Sequence, residues 1–368
     1  MNHEASPALS VIVPAFQCAG MLRAALAGLE ASDLPRHAWE LIVVDDGSTD
    51  DTPLVAQRVA DQVLRVPGGP RGPAQARNQG ALVARGRVLV FVDADVVVAP
   101  HTLSGFAALF DRDPELAAAF GAYDDRPGDP GLVSQYRNLL HRWVHTEHPG
   151  DAETFWAGCG AVRRDAFLAV GGFDAARYPR PQIEDIDLGY RLRAQGGRIE
   201  LAPGLTGTHL KRWTLRNMLR TDLRERAIPW MHLLLWRREV MQSGPLNLAV
   251  GEKVLTALAG LLPVCVLLAL VTRDGRWGWL GAGCVGMIMI GNARLFLWFA
   301  QRRGWAFALA TVPLRVLFYL VSAIGGAWAM VTHAGMATPT PLPPLHTATS
   351  VPTVPSPSIA VMPDPRAG

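Results

Sequence analysis

The sequence predicts an α/β domain with a parallel sheet, followed by an interfacial segment and about three membrane-spanning helices. In residues 9–122, short apolar strands alternate with helical patterns of 10–15 residues, which is typical of a parallel sheet covered on both faces. Beyond residue 250, long apolar runs nearly free of charge predict the membrane part. The chain is 49% hydrophobic and 18% charged, which excludes a disordered protein, a disulfide-stapled miniprotein and a coiled coil.

The elements of the predicted sheet follow one another in a regular order. They are the strand LSVIV (9–13), the helix CAGMLRAALAGLEAS (18–32), the strand LIVVDD (41–46), the helix TPLVAQRVAD (52–61), a strand near Val63, the helix PAQARNQGALVAR (73–85) and the strand RVLVFVDAD (87–95). Such sheets bind ligands at the carboxyl ends of their strands. Acidic pairs stand at two of these ends, Asp45 with Asp46 and Asp93 with Asp95. Either pair alone could be a helix cap or a solvated loop, but two pairs on one edge favour a site.

Several site types are disfavoured by the motifs around these strands. The first strand ends in Val-Pro-Ala-Phe without a G-x-G-x-x-G turn, and no G-x-x-x-x-G-K-[ST] loop occurs, so a dinucleotide site is disfavoured and a P-loop is excluded. The four cysteines are scattered without a C-x-x-C pair, which argues against a zinc site. Carboxylates at positions i and i+2 can hold a divalent cation together with phosphate oxygens. The expected substrate is therefore a nucleotide-diphosphate compound, with Mg²⁺ or Mn²⁺ neutralising the leaving diphosphate.

Six segments in order resemble the family 2 inverting glycosyltransferases, which have the GT-A fold. They are SVIVPAF (10–16), VVDDGSTDDT (43–52), G-x-A-x-ARN-x-G (72–80), VFVDAD (90–95), GGFD (171–174) and IEDIDLGYRLRAQGG (183–197). A single D-x-D occurs by chance in many chains, so the resemblance depends on the order and separation of all six. It covers about residues 8–210 and implies a Rossmann-like nucleotide-diphospho-sugar transferase domain over residues 1–210.

The resemblance implies a role for each residue on the donor side. Pro14, Ala15 and Phe16 line the nucleotide pocket, Asp45 and Asp46 read the base and ribose, and Arg71, Arg77 and Asn78 border the same pocket. Asp95 is the main ligand of the divalent cation, Asp93 contacts ribose, the metal or its water, and His209 is a further candidate ligand. For Arg77, a structural pair with a strand-end carboxylate is as well supported as a phosphate contact. For His209, the alternative is a solvated cap.

The resemblance also places the acceptor side in the second half of the domain. The stretch with Trp156, Gly158 and Gly160 lies under the sugar and acceptor. Asp185 corresponds to the general base, and Glu184 orients it or binds the acceptor. Inversion needs such a base within about 3 Å of the attacking hydroxyl. Asp187 is expected to be a cap or packing residue.

Three apolar runs at 254–272, 277–300 and 305–332 predict a multi-pass transmembrane domain over residues 247–333. One buried helical domain is the alternative. Residues 211–239 carry a net charge of +5, against +3 for the whole chain. This concentration of positive charge predicts a plasma-membrane protein whose N-terminal domain lies in the cytoplasm. The second run contains Arg294 and the third Arg315, which either snorkel or share a cleft that holds a lipid phosphate. The Pro-, Ser- and Thr-rich tail, 334–368, is expected to be disordered.

A basic amphipathic segment at 211–246 joins the two parts. Apolar residues recur near helical spacing against Arg212, Arg216, Arg220 and Arg224, which predicts a helix on anionic headgroups, with a helix packed on the domain as the alternative.

The sequence as a whole therefore predicts a membrane-bound, hexosyltransferase-type enzyme of cell-envelope glycan synthesis. It moves a sugar with inversion from a nucleotide-diphosphate sugar to polyprenyl phosphate or another lipid-linked or envelope acceptor, with membrane lipids and no nucleic acid as further partners. A processive polysaccharide synthase is the nearest alternative, but its Q-x-x-R-W segment has His209 in place of Gln here. A sugar nucleotidyltransferase would have a glycine-rich loop after the first strand. A non-catalytic scaffold predicts loss of the D-x-D or E-D pair, and both are present.

Overall fold

The computed structural model describes residues 7–240 and 250–346, and its core is one nine-stranded mixed sheet. The strands are β1 (Leu9–Ala15), β2 (Trp39–Asp45), β3 (Gln62–Arg65), β4 (Val88–Val92), β5 (Val96–Val98), β6 (Leu116–Tyr123), β7 (Gly150–Asp151), β8 (Cys159–Arg163) and β9 (Arg198–His209). They lie in the order β3-β2-β1-β4-β8-β6-β9-β5, and β7 pairs with β9 at the side of this path.

The first half of the sheet is parallel, in agreement with the sequence pattern. Strand β1 pairs in parallel with β2 and β4, and β2 pairs in parallel with β3. Helices α1 (Ala19–Glu30), α2 (Thr52–Gln57) and α3 (Pro73–Val83) connect these strands. Successive residues of β1 point to opposite faces, so Val11 and Val13 belong to one apolar core and Ile12 to the other. Both faces of the sheet are therefore buried.

The second half of the sheet is mixed and brings distant chain segments to the ends of the parallel strands. Strand β8 runs antiparallel between β4 and β6, and β5 is antiparallel to β9. Val96 pairs with His209, which sets the end of β9 beside the residues that follow β4. The remaining helices of the domain are α4 (Thr102–Arg112), α5 (Leu132–Glu147), α6 (Arg164–Ala169) and α7 (Glu184–Ala194).

The basic segment after β9 packs on the domain through its apolar residues. It forms α8 (Leu215–Arg220), a π-helix (Thr221–Ala227) and α9 (Ile228–Arg237), and its predicted end, 241–246, lies outside the described residues. Met218 of α8 is buried beside Tyr136 of α5, and Leu233 of α9 is buried beside Tyr190 of α7. The apolar side therefore faces protein, as the packed-helix alternative expects. The arginines at 216, 220 and 224 remain exposed.

Four helices follow: α10 (Val250–Thr272), α11 (Arg276–Gly291), α12 (Ala293–Arg303) and α13 (Trp305–His333). Among the described residues, two helices, α10 and α13, are each long and apolar enough to cross a membrane. The run 277–300, predicted as one span, is instead broken at Asn292, where α11 and α12 are bent by 65°. Helix α12 turns back to the α/β domain, where Arg302 binds Asp125 at 2.7 Å.

The arginines of the second and third apolar runs do not share a cleft. Arg294 is 81% exposed and pairs with Glu147 at 3.1 Å. Arg315 is buried, donates from Nε to Oδ1 of Asn292 at 2.7 Å and pairs with Glu252 at 3.1 Å. The snorkelling interpretation therefore does not describe Arg315, because its charge is neutralised inside the helix assembly.

The first part of the predicted tail is also described. Residues 334–346 contain no regular element beyond the end of α13, and the backbone N–H of Leu345 donates to the carbonyl of Leu168 at the end of α6 at 2.8 Å. Residues 347–368 lie outside the described part of the chain.

Candidate active site

The end of strand β4 and the end of strand β9 form one pole of the site. The His209 Nε2 atom lies 3.5 Å from Oδ2 of Asp95, and the His209 ring stacks on Tyr123 with centroids 4.4 Å apart. Burial alone would raise the pKa of Asp95, but the hydrogen bond and charge of His209, together with Lys211, hold that pKa below its ordinary value. Asp95 therefore remains an ionised carboxylate beside an imidazole nitrogen.

This pair suits a divalent cation that is shared with a substrate. Within residues 7–240 and 250–346, no group of three or more His, Cys, Asp or Glu side chains is arranged to hold a metal ion. Mg²⁺ normally binds one or two carboxylates and completes its coordination with substrate phosphates and water. The partly exposed carboxylate of Asp95 and the neighbouring imidazole of His209 fit that mode of binding, in which a diphosphate supplies the other ligands.

Arg77 joins this pole to the second one. Its guanidinium is buried and donates to Oδ1 of Asp93 at 2.6 Å and to Oε1 of Glu184 at 2.9 Å. Burial alone would lower the pKa of Arg77, but the carboxylates of Asp93 and Glu184 raise it above its ordinary value. The guanidinium therefore binds two carboxylates 91 residues apart in the chain, in line with the structural alternative for Arg77.

Asp185 forms the second pole, in the first turn of α7. Its Oδ2 atom accepts from the backbone N–H of Ala157 at 3.2 Å, and Oδ1 accepts from the N–H of Ile186 at 2.8 Å. Burial, and then the negative charge of Glu184, raise the pKa of Asp185 to about 7. A carboxylate with this pKa exchanges protons near neutral pH, as a general base must.

The neighbours of Asp185 on the same helix have other partners. Glu184 is buried and also accepts from the backbone N–H of Gln182 at 2.8 Å. Asp187 is buried and pairs with Arg191 at 2.8 Å and with Arg177 at 3.5 Å. Glu184 therefore joins the start of α7 to Arg77, and Asp187 stabilises the packing of α7.

The predicted nucleotide pocket lies at the ends of β1 and β2. Asp46 accepts from the backbone N–H groups of Arg71 at 2.8 Å and Gly72 at 2.7 Å, so its carboxylate fixes the loop that borders the pocket. Asp45 accepts from the N–H of Ser48 at 3.0 Å. Strand β1 ends with Pro14 and Ala15. Ala15 is buried, and Phe16, the next residue, is exposed. The aromatic ring of Phe16 is therefore available to a ligand.

Asn78 has a structural partner. Its side chain donates to the carbonyl of Phe173 at 2.8 Å and accepts from the Phe173 N–H at 2.8 Å. The ring of Phe173 lies 5.4 Å from the Arg77 guanidinium. Asn78 thus fixes the GGFD turn behind Arg77, and its buried amide is hydrogen-bonded to the protein backbone.

The glycines of the predicted acceptor stretch make room for Trp156. A Cβ atom at Gly158 would lie 2.5 Å from the Trp156 ring, and one at Gly160 would lie 2.3 Å from the Trp156 carbonyl oxygen. The ring contacts Tyr123, with centroids 4.8 Å apart, and is partly buried. These glycines therefore set the position of Trp156 beside Asp185.

Sequence reasoning did not identify an aromatic wall behind the site. His141 and His145 of α5 lie with ring centroids 4.5 and 5.4 Å from Trp156. Burial lowers the pKa of His145 to about 4, so its imidazole is neutral. The spacing i, i+4 of these two histidines on one helix was the available signal.

A second residue that sequence reasoning missed is Arg226 in the π-helix. Burial of the guanidinium, and then the charge of Arg137, lower its pKa to about 10, while the charges of Asp222 and Asp185 oppose that shift. The residue as a whole is exposed. No sequence motif marks it, because its position depends on how the π-helix packs.

We expect Arg77→Met to destabilise the fold by about 3–5 kcal/mol, because it leaves Asp93 and the buried Glu184 without their cation. Thermal and denaturant unfolding of the detergent-solubilised protein measure this loss. Arg87→Gln is the control, since Arg87 pairs with Asp111 at the surface and such pairs contribute about 0–1 kcal/mol. Equal stability of the two variants would contradict the assigned role of Arg77.

Part of the chain matches a known protein family. Residues 10–171 match the family described as "Glycosyl transferase family 2". Validoxylamine A glucosyltransferase of Streptomyces hygroscopicus subsp. jinggangensis (strain 5008) is 30% identical over 227 residues, covering 52% of this chain and 52% of that protein. Poly(ribitol-phosphate) beta-N-acetylglucosaminyltransferase TarS of Staphylococcus aureus (strain Mu50 / ATCC 700699) is 32% identical over 107 residues, covering 28% of this chain and 19% of TarS. The chain thus spans about half the length of the first relative and less of the second.

Among solved structures, the chain resembles the mannosyltransferase PcManGT from Pyrobaculum calidifontis, solved in complex with GDP-Man and Mn²⁺. The TM-score is 0.53 at 20% sequence identity, and the match covers 88% of each chain. This likeness shows the GT-A-like fold.

Proposed function

Because the chain carries a glycosyltransferase family 2 domain, we propose that it transfers a sugar with inversion from a nucleotide-diphosphate donor to an acceptor at the membrane surface. The observation that carries the proposal is Asp185, a half-buried carboxylate with a pKa of about 7 that is joined through Glu184 and Arg77 to Asp93. An inverting displacement needs a proton acceptor and a diphosphate site held in fixed positions. The ion pairs of Arg77 connect the parts of the chain that carry the two.

The reaction follows from these positions. The acceptor oxygen attacks the anomeric carbon from the side of Asp185, which takes the proton that a hydroxyl or a singly protonated phosphate carries on that oxygen. The bond from that carbon to the diphosphate breaks on the opposite side, and the nucleoside diphosphate leaves with the electron pair. Two backbone N–H groups hold the Asp185 carboxylate in one orientation, so little reorganisation accompanies the proton transfer.

The donor side is assigned to the pole at Asp95. Asp95 and His209 would hold a divalent cation, which supplies charge neutralisation for the leaving diphosphate. Asp93 is oriented by Arg77 and remains partly exposed, so its second oxygen can accept from a ribose hydroxyl. Phe16 and the loop fixed by Asp46 border the base. The fold relative from Pyrobaculum was solved with GDP-Man and Mn²⁺, which supports a nucleotide-sugar donor and a divalent cation.

For the acceptor, we propose a polyprenyl phosphate or a related lipid with a phosphate group. Arg226 is an exposed arginine whose pKa responds to the charge of Asp185, and the π-helix that carries it packs on α13, where Ala227 lies against Gly325. A phosphate held there would come from the membrane side of the domain. A guanidinium is well suited to bind phosphate through paired hydrogen bonds.

The test is a donor screen with the purified full chain in lipid nanodiscs. Each nucleotide sugar is incubated with Mn²⁺ or a chelator, with and without polyprenyl phosphate, and both the released nucleoside diphosphate and the radiolabelled lipid are measured. We expect one donor to give a labelled lipid only with the metal. Absence of transfer from every donor to any lipid, soluble glycan or polyol acceptor would contradict glycosyl transfer. Transfer to a soluble acceptor alone would contradict only the lipid assignment.

We expect Arg226→Gln to raise the KM for the phosphate acceptor about 10- to 100-fold, because a charge-assisted hydrogen bond contributes about 1.5–3 kcal/mol. The KM for the donor should stay the same. Arg224→Gln is the matched control, since Arg224 is an exposed arginine of the same π-helix. A change in the donor constant, or equal acceptor constants in both variants, would argue against this role.

A further inference from the structure

Helix α13 begins and ends against the catalytic domain. Directly before it, Arg302 binds Asp125. At its other end, the ring of His333 lies 5.7 Å from His232 and 5.6 Å from Trp236, two residues of α9. Helix α9 is itself anchored on the domain, since Leu233 is buried with Tyr178 and Tyr190. The two ends of α13 therefore rest on two separate parts of one soluble domain.

The chain after α13 also returns to this domain. The N–H of Leu345 donates to the Leu168 carbonyl, and Pro343 lies against Gly171. The 29 residues of α13 extend about 43 Å, more than the roughly 30 Å of a hydrocarbon core. If α13 crossed a bilayer, its end and the α6 surface would lie on the far side, and charged parts of the domain would lie in lipid.

The two sides of α13 differ near both of its ends, whereas none of residues 314–323 is exposed. One side is buried against the domain and the neighbouring helices and includes Ala308, Leu314, Arg315, Tyr319, Gly325 and Ala329. The opposite side is apolar and exposed and consists of Trp305, Leu309, Ile324, Met330 and Val331, with Trp328 at its edge. An apolar face on one side and protein on the other is the arrangement of a helix that lies in the membrane interface.

The hairpin of α10 and α11 starts and finishes at one place. Glu252 stands at the start of α10 and Asn292 directly after α11, and both bind Arg315 of α13. The hairpin tip carries Arg273, Asp274 and Arg276. The two ends of the hairpin therefore meet at α13, and α10 stays against α13 as far as Gly260, where a Cβ atom would lie 3.4 Å from Ala323.

We propose that α13 lies along the membrane surface with its exposed side in lipid, that the α10–α11 hairpin projects from it into the bilayer, and that the segment after α13 stays on the side of the catalytic domain. Lipid is the occupant that the surface favours, because α10, which packs against α13 at Gly260, is long and apolar enough to enter a membrane and exposes Leu267, Leu270 and Val271. This inference concerns attachment and holds whichever sugar or acceptor the enzyme uses.

Sidedness is tested first, in the full-length chain with single introduced cysteines. The four native cysteines are buried and serve as the unlabelled background. Thr338→Cys reports the segment after α13 and Glu115→Cys reports the catalytic domain; both positions are exposed. A membrane-impermeant maleimide is added to intact cells and to inverted vesicles. We expect positions 338 and 115 to react from the same side. Positions 338 and 115 on opposite sides would overturn the proposal.

Depth is tested with spin labels along the exposed side of α13. Labels at Leu309→Cys, Ile324→Cys and Val331→Cys should show nearly equal accessibility to a lipid-soluble relaxant, whereas a crossing helix would separate the first and last by about 33 Å in depth. Val254→Cys and Val271→Cys on α10 are the matched pair and should differ in depth. Unequal depths on α13 would overturn the proposal. Protection from both lipid- and water-soluble relaxants would also overturn it, since a second copy would then cover the helix.

Discussion

Asp185→Asn should lower kcat about 10²- to 10⁴-fold, the usual contribution of a positioned general base. Asn has nearly the same volume as Asp and keeps an oxygen that accepts from the N–H of Ala157 or Ile186, so we expect the fold and the donor KM to be retained. Steady-state kinetics with the donor identified by the screen measure the effect. Asp151→Asn is the control, because Asp151 is an exposed carboxylate that pairs with Arg193 away from the site.

The pH profile gives an independent measure of the same residue. Asp185 acts when ionised, and its raised pKa of about 7 means that kcat/KM should rise tenfold per pH unit below about 7 and level off above it. The variant should lack this limb. A raised pKa also means that the folded state favours the protonated form, so this group's stabilising contribution is present below pH 4 and is lost as the pH rises towards 7. A wild-type rate and profile in Asp185→Asn would rule out Asp185 as the base.

Asp95→Ala should lower kcat/KM about 10²- to 10³-fold, since charge neutralisation at the diphosphate amounts to several kcal/mol. The variant should also lose metal-dependent nucleotide binding, measured by calorimetry with the nucleoside diphosphate and Mn²⁺. A chelator should reduce wild-type activity to the level of the variant and leave the variant unchanged. Asp111→Asn, at a surface carboxylate, is the control. Full activity of Asp95→Ala, or of the wild type in chelator, would contradict a metal-assisted reaction.

The parallel half of the fold could be predicted because its signals are local. Strands β1, β2 and β4 are continuous apolar runs, and helices α1 and α3 stand between turn residues, so chain order alone indicates the sheet. The mixed half could not be predicted in the same way. The antiparallel insertion of β8 between β4 and β6 depends on pairing between segments about 70 residues apart, such as Val90 with Ala161, and no short window of sequence encodes it.

The residues of the candidate site differ in the same way in how far the sequence predicts them. Asp93 and Asp95 are visible as charges at the end of an apolar strand, and Asp185 is visible through a motif. The sequence does not decide the role of Arg77, because this helix residue lies 107 positions before its partner Glu184 and the pair forms only in the folded chain. The roles proposed for these residues stay predictions until the variants are measured.

The membrane part shows what hydropathy omits. Apolar length identified α10 and α13, but it does not tell a span from a helix that lies flat, because both need one lipid-facing side. The break at Asn292 had a visible signal, a polar amide and an arginine two residues later within an apolar run. Only the contacts of α12 with Asp125 and Glu147 show which way the chain turns there.

The contact of Arg315 with Glu252 has a consequence for biogenesis. During synthesis, Glu252 leaves the ribosome 63 residues before Arg315, so the α10–α11 hairpin is made while its carboxylate still lacks the guanidinium. A buried charge without a partner is strongly destabilising, and Glu252 and Asn292 are already made when Arg315 follows. The hairpin therefore supplies the partners of Arg315 before α13 folds back onto the domain.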